Sequence, residues 1–290
     1  MDGEPSRKTG RLAIIAGGGL LPVYLAEAAR EQGEDPFILA LRGESERDWH
    51  SFEHIDIDTG NLAGLKTTIG EKGIDRVVMS GAVKRRPDWR AVRPDIKALL
   101  NFPRIIRSLA SAGDDKLLRL VIEVIELYGC KVIGAQDIAP NLLAEVGPLG
   151  AVQPTDEDRA DIRQARQAAE ALGRLDVGQG AVSVKGRVVA LEGAEGTDQM
   201  LERVARMRRE SRISSRARGV LVKLCKPQQD LRADLPSIGP STVANAAAAG
   251  LAGIAVEAGR SLVLDREEMV READRLGLFV IGFEPTKRES

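Results

Sequence analysis

The sequence has 290 residues, of which 29% are charged and 43% hydrophobic, and its net charge at pH 7 is −1. These proportions are typical of a soluble globular protein that is long enough for two ordinary domains. A net charge near zero and only 3% aromatic residues argue against nucleic-acid binding. The first ten residues are polar, so we expect no signal peptide, and no stretch approaches the roughly 20 apolar residues of a membrane span.

The first half of the chain alternates short apolar runs with stretches of helical spacing. The predicted strands are 11–16, 36–41, 76–80 and 130–134, and the predicted helices are 20–33, 62–73, 95–112 and 116–128. Strands that alternate with helices predict a parallel sheet with helices on both faces, which is a Rossmann-like layout.

Proline and glycine accumulate between Pro140 and Pro154, where the periodicity lapses. We therefore predict an N-terminal Rossmann-like domain over residues 1–138, a linker over 139–154 and a C-terminal domain over 155–290. The second half repeats the alternation of helices and strands, with a hairpin at 180–191. Its predicted helices are 156–172, 197–209, 241–249 and 267–276, and its other strands are 219–222, 254–257, 261–264 and 279–282. The predicted class is α/β, with a mixed α/β C-terminal domain.

Cysteines and histidines are few. Cys130 and Cys225 lie in apolar company and form no C-x-x-C pair, which is typical of buried free thiols in a reducing compartment. His50 and His54 lie in a polar stretch that is typical of a loop, and two histidines are too few for a structural zinc site. No G-x-S-x-G accompanies them, so a Ser-His-Asp site is not indicated.

A run of glycines, Gly17, Gly18 and Gly19, separates the first predicted strand from the first predicted helix. Glycines in such a turn let backbone N–H groups approach a phosphate at the helix N-terminus. The spacing is not G-x-G-x-x-G, since Pro22 replaces the last glycine, so NAD binding gains little support. A nucleotide or phosphate site and a plain tight turn both stay open.

Basic residues follow the predicted strand 76–80 in the sequence GAVKRRP, residues 81–87. The ends of such strands are where α/β sheets place ligands. Lys84 and Arg86 could clamp a diphosphate there. An exposed basic turn is the alternative.

A polar loop follows the apolar run 219–222. Its cations, Lys223, Lys226 and Arg232, suit an anionic substrate, and its carboxylates, Asp230 and Asp234, suit a metal or a proton. A rigid strand that runs into a polar loop is a common base for a functional site. A solvated connection between a strand and a helix is the alternative.

Carboxylates also suggest a metal. Glu195, Asp198 and Asp234 together would suffice for one divalent ion, Mg²⁺ or a similar cation, with oxygen ligands and retained waters. Asp198 is partly explained by its place at a helix start, where the dipole favours a negative charge. No cysteine or histidine cluster competes for a softer metal.

A series of motifs spans nearly the whole chain. In order, they are IIAGGGLLP (14–22), GAVKRRP (81–87), GDDKLLR (113–119), GRLDVGQGAVS (173–183), EGTDQML (195–201), KPQQDLRADLPSIGP (226–240) and AGLAGIAVEAG (249–259). Each motif alone is weak, but the ordered series is specific. It resembles the LpxI family of UDP-2,3-diacylglucosamine pyrophosphohydrolases.

The resemblance implies an enzyme of lipid A biosynthesis. It would hydrolyse the pyrophosphate of UDP-2,3-diacylglucosamine to UMP and 2,3-diacylglucosamine 1-phosphate, using a divalent ion, usually Mg²⁺. It also implies two domains with the site in a cleft between them, and a homodimer. Because the substrate is lipidic, a cytoplasmic protein with peripheral contact to the inner membrane is expected.

The resemblance also points to particular residues. The family's key carboxylate belongs to a Q-D-x-R-x-D-x-P segment, which here offers Asp230 and Asp234. Asp234 ranks first by a small margin, because it lies nearer the turn that opens the next helix, and it would hold the metal or orient water. Lys223, Lys226 and Arg232 would neutralise the diphosphate. Further candidates for binding the substrate lie in two of the other motifs, Gln179 and Thr197.

Two rival functions stay open. An oxidoreductase that uses NAD or a nucleotide sugar would show a thermal shift with NAD. A non-catalytic protein that binds nucleotide sugars would bind ligand without turnover.

Overall fold

The structure is a computed structural model, and it describes residues 10–83 and 114–285. By their contacts these residues form two units. The N-terminal unit takes the described residues up to Pro140 together with Asp230–Asp234, and the C-terminal unit takes Asn141–Gln229 and the described residues from Leu235 onward. The predicted helix 95–112 lies outside the described residues, as do Lys84 and Arg86.

The predicted domain bounds at residues 138 and 155 stay a prediction. The stretch between them includes a 3-10 helix at Pro140–Leu142 and a short strand at Gly147–Pro148. The acidic segment Asp230–Asp234 is separated from the rest of its unit by about ninety residues of chain, so two further crossings between the units flank it.

The N-terminal unit contains a parallel sheet. Its strands are β1 (Arg11–Ala16), β2 (Phe37–Leu41), β3 (His54–Ile57), β4 (Ile74–Ser80) and β5 (Lys131–Ile133). Within the described residues the strand order is β3-β2-β1-β4-β5, and each neighbouring pair is parallel. The apolar sequences of β1 and β2 suit positions inside a covered parallel sheet. The Rossmann-like prediction is confirmed.

One strand of this sheet was not predicted. The polar stretch that contains His54 was expected to be a loop, but His54 opens β3, which pairs with β2 at the edge of the described sheet. An edge strand has one side without a partner strand, so it tolerates polar residues such as His54 and Asp56. The loop prediction for His54 is therefore wrong.

The helices of this unit pack beside the sheet. They are α1 (Leu21–Glu31), α2 (Leu62–Lys72), α3 (Asp114–Leu127) and α4 (Ala135–Ile138). Asn61 caps α2 by accepting a hydrogen bond from the Gly64 N–H at 2.9 Å, and Gly73 ends that helix in the left-handed conformation with φ of 62°. Leu65 and Ile69 of α2 and Ile122 and Ile125 of α3 share one buried core with β1 and β2.

The C-terminal unit is a mixed α/β unit, as predicted, and its main sheet combines parallel and antiparallel strands. Its further strands are β6 (Gly147–Pro148), β7 (Gly180–Val184), β8 (Arg187–Leu191), β9 (Gly219–Lys223), β10 (Ser237–Ile238), β11 (Gly253–Glu257), β12 (Leu262–Val263) and β13 (Phe279–Phe283). The order in its main sheet is β6-β13-β11-β9-β7-β8, with β10 and β12 paired separately. The strands β9, β11 and β13 are parallel, whereas β7 runs antiparallel to β9 and forms the predicted hairpin with β8.

Helices cover both faces of this sheet. They are α5 (Asp156–Arg174), α6 (Gly196–Arg209), α7 (Pro240–Ala248) and α8 (Arg266–Leu276). Ala165 and Ala169 of α5 pack against one face of the sheet. Apolar residues of α6, α7 and α8 pack against the other face, where Leu221 of β9 lies. Side chains alternate along a strand, so Lys223 projects on the same face as Leu221.

Two helix ends differ from the predictions. Gly173 does not end α5, which continues to Arg174, and a Cβ atom at position 173 would lie 3.1 Å from the Pro227 Cδ atom. That glycine therefore allows close packing rather than a stop. Thr197 is not the N-cap of α6, because the helix already begins at Gly196. No described helix is long and apolar enough to cross a bilayer.

Candidate functional site

The glycine turn lies where the order of the N-terminal sheet reverses, at the carboxyl ends of β1 and β4. This is the place where open α/β sheets bind ligands. The Gly17 N–H donates to the Ser80 carbonyl at 2.8 Å, and Gly18 exchanges hydrogen bonds of 2.8 and 2.9 Å with Ala82. A Cβ atom at position 17 would lie 2.6 Å from the Ala82 carbonyl oxygen. The glycine is needed because two backbone segments approach closely there.

These hydrogen bonds limit which N–H groups of the turn can bind a phosphate. The N–H groups of Gly17 and Gly18 already donate within the protein, so a phosphate at this turn would not be held by them. Gly19 has φ of 92°, a conformation that favours glycine. Phosphate binding by the three glycines stays a prediction, and the G-x-G-x-x-G mode gains no support from this geometry.

The buried cation of the polar loop belongs to the central strand β9. Lys223 is 6% exposed, and its ammonium group donates to the Ser237 carbonyl at 2.8 Å. Burying a lysine is costly unless its charge is balanced. A buried lysine in a central strand is therefore a candidate functional residue. Lys226 follows on the loop, where its ammonium group lies 2.7 Å from a carboxylate oxygen of Asp176.

The acidic segment is organised by Arg232. Its guanidinium group binds both carboxylate oxygens of Asp230, with Nε 3.0 Å from Oδ1 and Nη2 2.7 Å from Oδ2. Hydrogen bonding from Arg232 lowers the pKa of Asp230 below its ordinary value, although burial opposes the shift. The Asp230 carboxylate is therefore ionised and neutralised by its neighbour.

Contacts within the N-terminal unit anchor this segment. Arg232 also donates to Glu126 of α3 at 2.8 Å, and Ala233 packs against the core that contains Ile122. Asp234 follows directly and is exposed. The two candidate carboxylates thus differ in setting, since Asp230 is paired with a guanidinium group and Asp234 is exposed on an anchored segment.

The three predicted metal ligands come from both units. Asp234 belongs to the N-terminal unit, whereas Glu195 and Asp198 lie at the start of α6 in the C-terminal unit. Glu195 pairs with Arg203 at 3.0 Å, and Asp198 accepts a hydrogen bond from the Asn245 side chain at 2.9 Å. Across residues 10–83 and 114–285, no group of three or more His, Cys, Asp or Glu residues could hold a metal ion. The metal set stays a prediction.

Thr197 lies beside a carboxylate that sequence reasoning missed. Its hydroxyl donates to the Glu192 Oε1 atom at 2.9 Å. Glu192 is 6% exposed, and no hydrogen-bond partner from the described part of the chain reaches its Oε2 atom. Its only signal in the sequence is an acid placed directly after strand β8 and before Gly193, a pattern that equally suits a solvated acid.

Gln179 lies just before β7. Its backbone carbonyl accepts a hydrogen bond from the Leu224 N–H at 3.0 Å, which joins it to the chain beyond β9. The side-chain Oε1 atom is buried and has no hydrogen-bond partner among the residues that the structure describes. Its role in binding substrate stays a prediction. The C-terminal unit thus brings Gln179 and Lys223 to the same end of the sheet, since Gln179 precedes β7 and Lys223 ends the antiparallel β9.

Two solved structures resemble this chain distantly. A monomeric L-threonine 3-dehydrogenase from a metagenome database, in its apo form, shares 14% identity, with 50% of this chain and 43% of that chain covered at a TM-score of 0.27. UDP-glucose 4-epimerase from Thermus thermophilus, in complex with NAD, shares 12% identity over 96% of this chain and 88% of that chain, at a TM-score of 0.31. Neither likeness bears on the activity of this chain.

Sequence comparison is far more specific. Residues 11–142 match the model of the LpxI N-terminal domain, and residues 145–281 match that of the LpxI C-terminal domain. UDP-2,3-diacylglucosamine pyrophosphatase LpxI from Caulobacter vibrioides is 42% identical over 279 residues, which cover 96% of this chain and 99% of the relative. With both domains matched in order and a relative aligned along almost its entire length, the chain belongs to the LpxI family.

Proposed function

We propose that this protein hydrolyses the pyrophosphate bond of UDP-2,3-diacylglucosamine. One water molecule adds across the P–O–P bridge, the bond between one phosphorus and the bridging oxygen breaks, and the products are UMP and 2,3-diacylglucosamine 1-phosphate. The observation that carries the proposal is the 42% identity to the pyrophosphatase of Caulobacter vibrioides over 99% of that protein. The alignment covers 96% of this chain, so both units have a counterpart in that relative.

The residues of the chain suit phosphoryl chemistry. Hydrolysis of a pyrophosphate asks the protein mainly to position groups and to neutralise developing negative charge. Buried Lys223 supplies a cation at the end of β9, and its hydrogen bond to the Ser237 carbonyl holds it in place. Lys226 on the following loop would add a second cation in competition with Asp176, whose carboxylate oxygen lies 2.7 Å from its ammonium group.

Asp234 would orient the attacking water or hold the metal. Asp230 is less suited to either role, because the guanidinium group of Arg232 already occupies both of its oxygens. Arg232 ties the segment to α3 through Glu126, so Asp234 lies on a chain segment with a fixed anchor. Because the segment is already anchored, Asp234 would lose less conformational freedom when the substrate binds.

A divalent cation would assist the reaction. Carboxylate oxygens are the donors that Mg²⁺ prefers, and this ion is typically held by one or two carboxylates together with waters and substrate phosphates. Asp234 and Asp198 would hold it, and Glu195 would do so only in competition with Arg203. When bound, the ion would neutralise charge on the pyrophosphate.

The lipid substrate sets the location of the protein. We place it in the cytoplasm with peripheral contact to the inner membrane, because the two acyl chains of the substrate reside in a bilayer. We also propose a homodimer, on the family resemblance. Sedimentation of the purified protein with and without vesicles tests both.

The deciding experiment measures UMP release from UDP-2,3-diacylglucosamine with Mg²⁺, for the wild type and for Asp234→Ala. We expect turnover by the wild type and a loss of several orders of magnitude in kcat for the variant, with substrate still bound. Undiminished turnover by the variant would remove Asp234 from the chemistry. Absence of turnover by the wild type, with substrate bound, would favour a nucleotide-sugar binding protein instead.

A further inference from the structure

We propose that Glu192 is a ligand-binding residue, and that its buried Oε2 atom, which has no donor among the described residues, accepts a hydrogen bond from a hydroxyl group of a sugar phosphate. The proposal deepens the proposed function, on which it rests for the choice of ligand. It starts from a buried charge whose hydrogen bonding is incomplete.

The missing hydrogen bond at Glu192 is costly because the side chain is buried. Glu192 is 6% exposed and receives a hydrogen bond from Thr197 at Oε1, but nothing in residues 10–83 or 114–285 donates to Oε2. A buried carboxylate oxygen without a donor carries a desolvation cost that native proteins rarely leave unmet. A ligand that brings a donor to Oε2 would remove that cost.

The position of the carboxylate is fixed by its neighbours. The Glu192 N–H donates to the Gly180 carbonyl at 2.9 Å, so the two residues face each other across the extended hairpin. A Cβ atom at position 180 would lie 2.4 Å from Oε2. Glycine at 180 therefore leaves the space that the carboxylate oxygen fills. Thr197 holds the other oxygen by a hydrogen bond, so the carboxylate is fixed at Oε1 and Oε2 lies in the space beside Gly180.

A cation on the same face indicates the class of ligand. Gly180 is paired with Lys223, and paired residues on adjacent strands project to the same face. Glu192 and Lys223 thus flank Gly180, with neighbouring strands about 4.8 Å apart. A hydrogen-bond acceptor and a buried lysine on the same face of the sheet suit a molecule that carries both a hydroxyl donor and an anion. A sugar phosphate has this pairing of groups.

The proposed substrate contains this chemistry twice, in the ribose of its UMP half and in the glucosamine of its lipid half. The two sources are distinguished by direct binding of UMP and of glucosamine 1-phosphate, measured by isothermal titration calorimetry. Neither measurement requires turnover. The probe that depends on Glu192 identifies which sugar the carboxylate binds.

Three variants test the geometry. We expect Glu192→Ala to weaken binding of one probe by about tenfold to a hundredfold, the usual range for a lost hydrogen bond to a charged group. Gly180→Ala should weaken the same probe, because the added methyl group displaces the carboxylate without removing it. The double variant should bind no more weakly than Glu192→Ala, since the clash disappears with the side chain.

Glu192→Gln separates binding from folding, because it keeps the shape of the side chain and removes its charge. We expect its thermal unfolding midpoint to match that of the wild type while the affinity for the same probe falls. Glu202→Gln, an exposed carboxylate on α6, serves as the matched control and should bind both probes normally. Wild-type protein that binds neither probe, or Glu192 variants that bind both probes as tightly as the wild type, would overturn the proposal.

The outcomes also separate this inference from the proposed function. Wild type that binds a probe through Glu192 but releases no UMP would retain the sugar-phosphate site and refute the hydrolase. Wild type that turns over, with Glu192 variants of unchanged probe affinity, would retain the hydrolase and refute the site.

Discussion

Arg232 binds both carboxylate oxygens of Asp230, through Nε at 3.0 Å and through Nη2 at 2.7 Å. Two parallel charge-assisted bonds of this kind are stronger and more directional than a single ion pair. The pair lies within the segment that the family resemblance marks as catalytic. The pair gives Asp230 a structural role, namely shaping the chain that carries Asp234, while its catalytic role stays a prediction.

The first prediction separates the two aspartates by kinetics. We expect Asp234→Asn to lower kcat for UMP release by several orders of magnitude, because the ionised carboxylate itself is lost. Asp230→Asn should lower kcat less, since it weakens the link to Arg232 but leaves Asp234 in place. Equal losses in the two variants would show that both carboxylates act in the chemistry.

The second prediction concerns the titration of Asp230. Hydrogen bonding from Arg232 lowers its folded pKa below the ordinary value of 3.8. A carboxyl group whose folded pKa is lowered stabilises the native state above its unfolded pKa, and this contribution is lost as pH falls through the folded pKa. Arg232→Gln should therefore raise the pKa of Asp230 and reduce stability at neutral pH more than at acid pH.

Carboxyl chemical shifts followed by NMR over the acid range would measure this pKa in the wild type and in Arg232→Gln. Arg232→Lys is the matched control, because it keeps the charge but cannot form the two parallel bonds. It should give an intermediate pKa. An Asp230 pKa that is the same in all three proteins would contradict the role of the guanidinium group.

Most of the fold could be predicted from periodicity alone. The alternation of apolar runs with helical stretches identified β1, β2, β4 and β5, and the turn at Lys185-Gly186 identified the hairpin. Periodicity did not identify the edge strand or the shortest strands. The strand that begins at His54 was missed because an edge strand need not be apolar on both faces, and β6 and β10, with two residues each, are too short to show any period.

For the candidate site, the sequence predicts the types of residue but not which of them are paired with one another. The sequence indicates which cations and carboxylates lie near glycines, but it does not say which are already paired. The bonds from Arg232 to Asp230 and from Arg203 to Glu195 depend on local folding that no spacing rule predicts. Glu192 was missed because the sequence does not show that it is buried. A single acid after a strand looks solvated until its burial is known.

A third prediction concerns the reactivity of Cys130. Burial raises the pKa of its thiol to about 11, with a smaller contribution from the negative charge of Asp75, and the thiol donates to the Ile74 carbonyl at 3.2 Å. At pH 8 only on the order of one thiol in a thousand would then be ionised. Alkylation of Cys130 by iodoacetamide should be far slower in the native protein than in urea, as peptide mass spectrometry would measure. Rapid native alkylation at Cys130 would contradict this burial.

The fourth prediction concerns Asp161 of α5, which holds the turn between β7 and β8. This aspartate is 3% exposed and accepts hydrogen bonds from the Ser183 hydroxyl at 2.6 Å and from the Lys185 and Gly186 N–H groups at 2.9 and 2.6 Å. Lys185 has φ of 51°, a conformation that is strained for a residue with a side chain. The carboxylate offsets that strain by fixing the turn.

We expect Asp161→Ala to reduce the free energy of unfolding by about 2–4 kcal/mol, because several donors lose a charged acceptor in a buried setting. Asp161→Asn should also destabilise, since its amide group presents donors to N–H groups that need an acceptor. Urea unfolding would measure both, with Gln164→Ala on the exposed side of the same helix as a control that should change stability little. If Asp161→Ala unfolded at the same urea concentration as Gln164→Ala, the hairpin would be stable without its buried carboxylate, and its turn would be held by the strands alone.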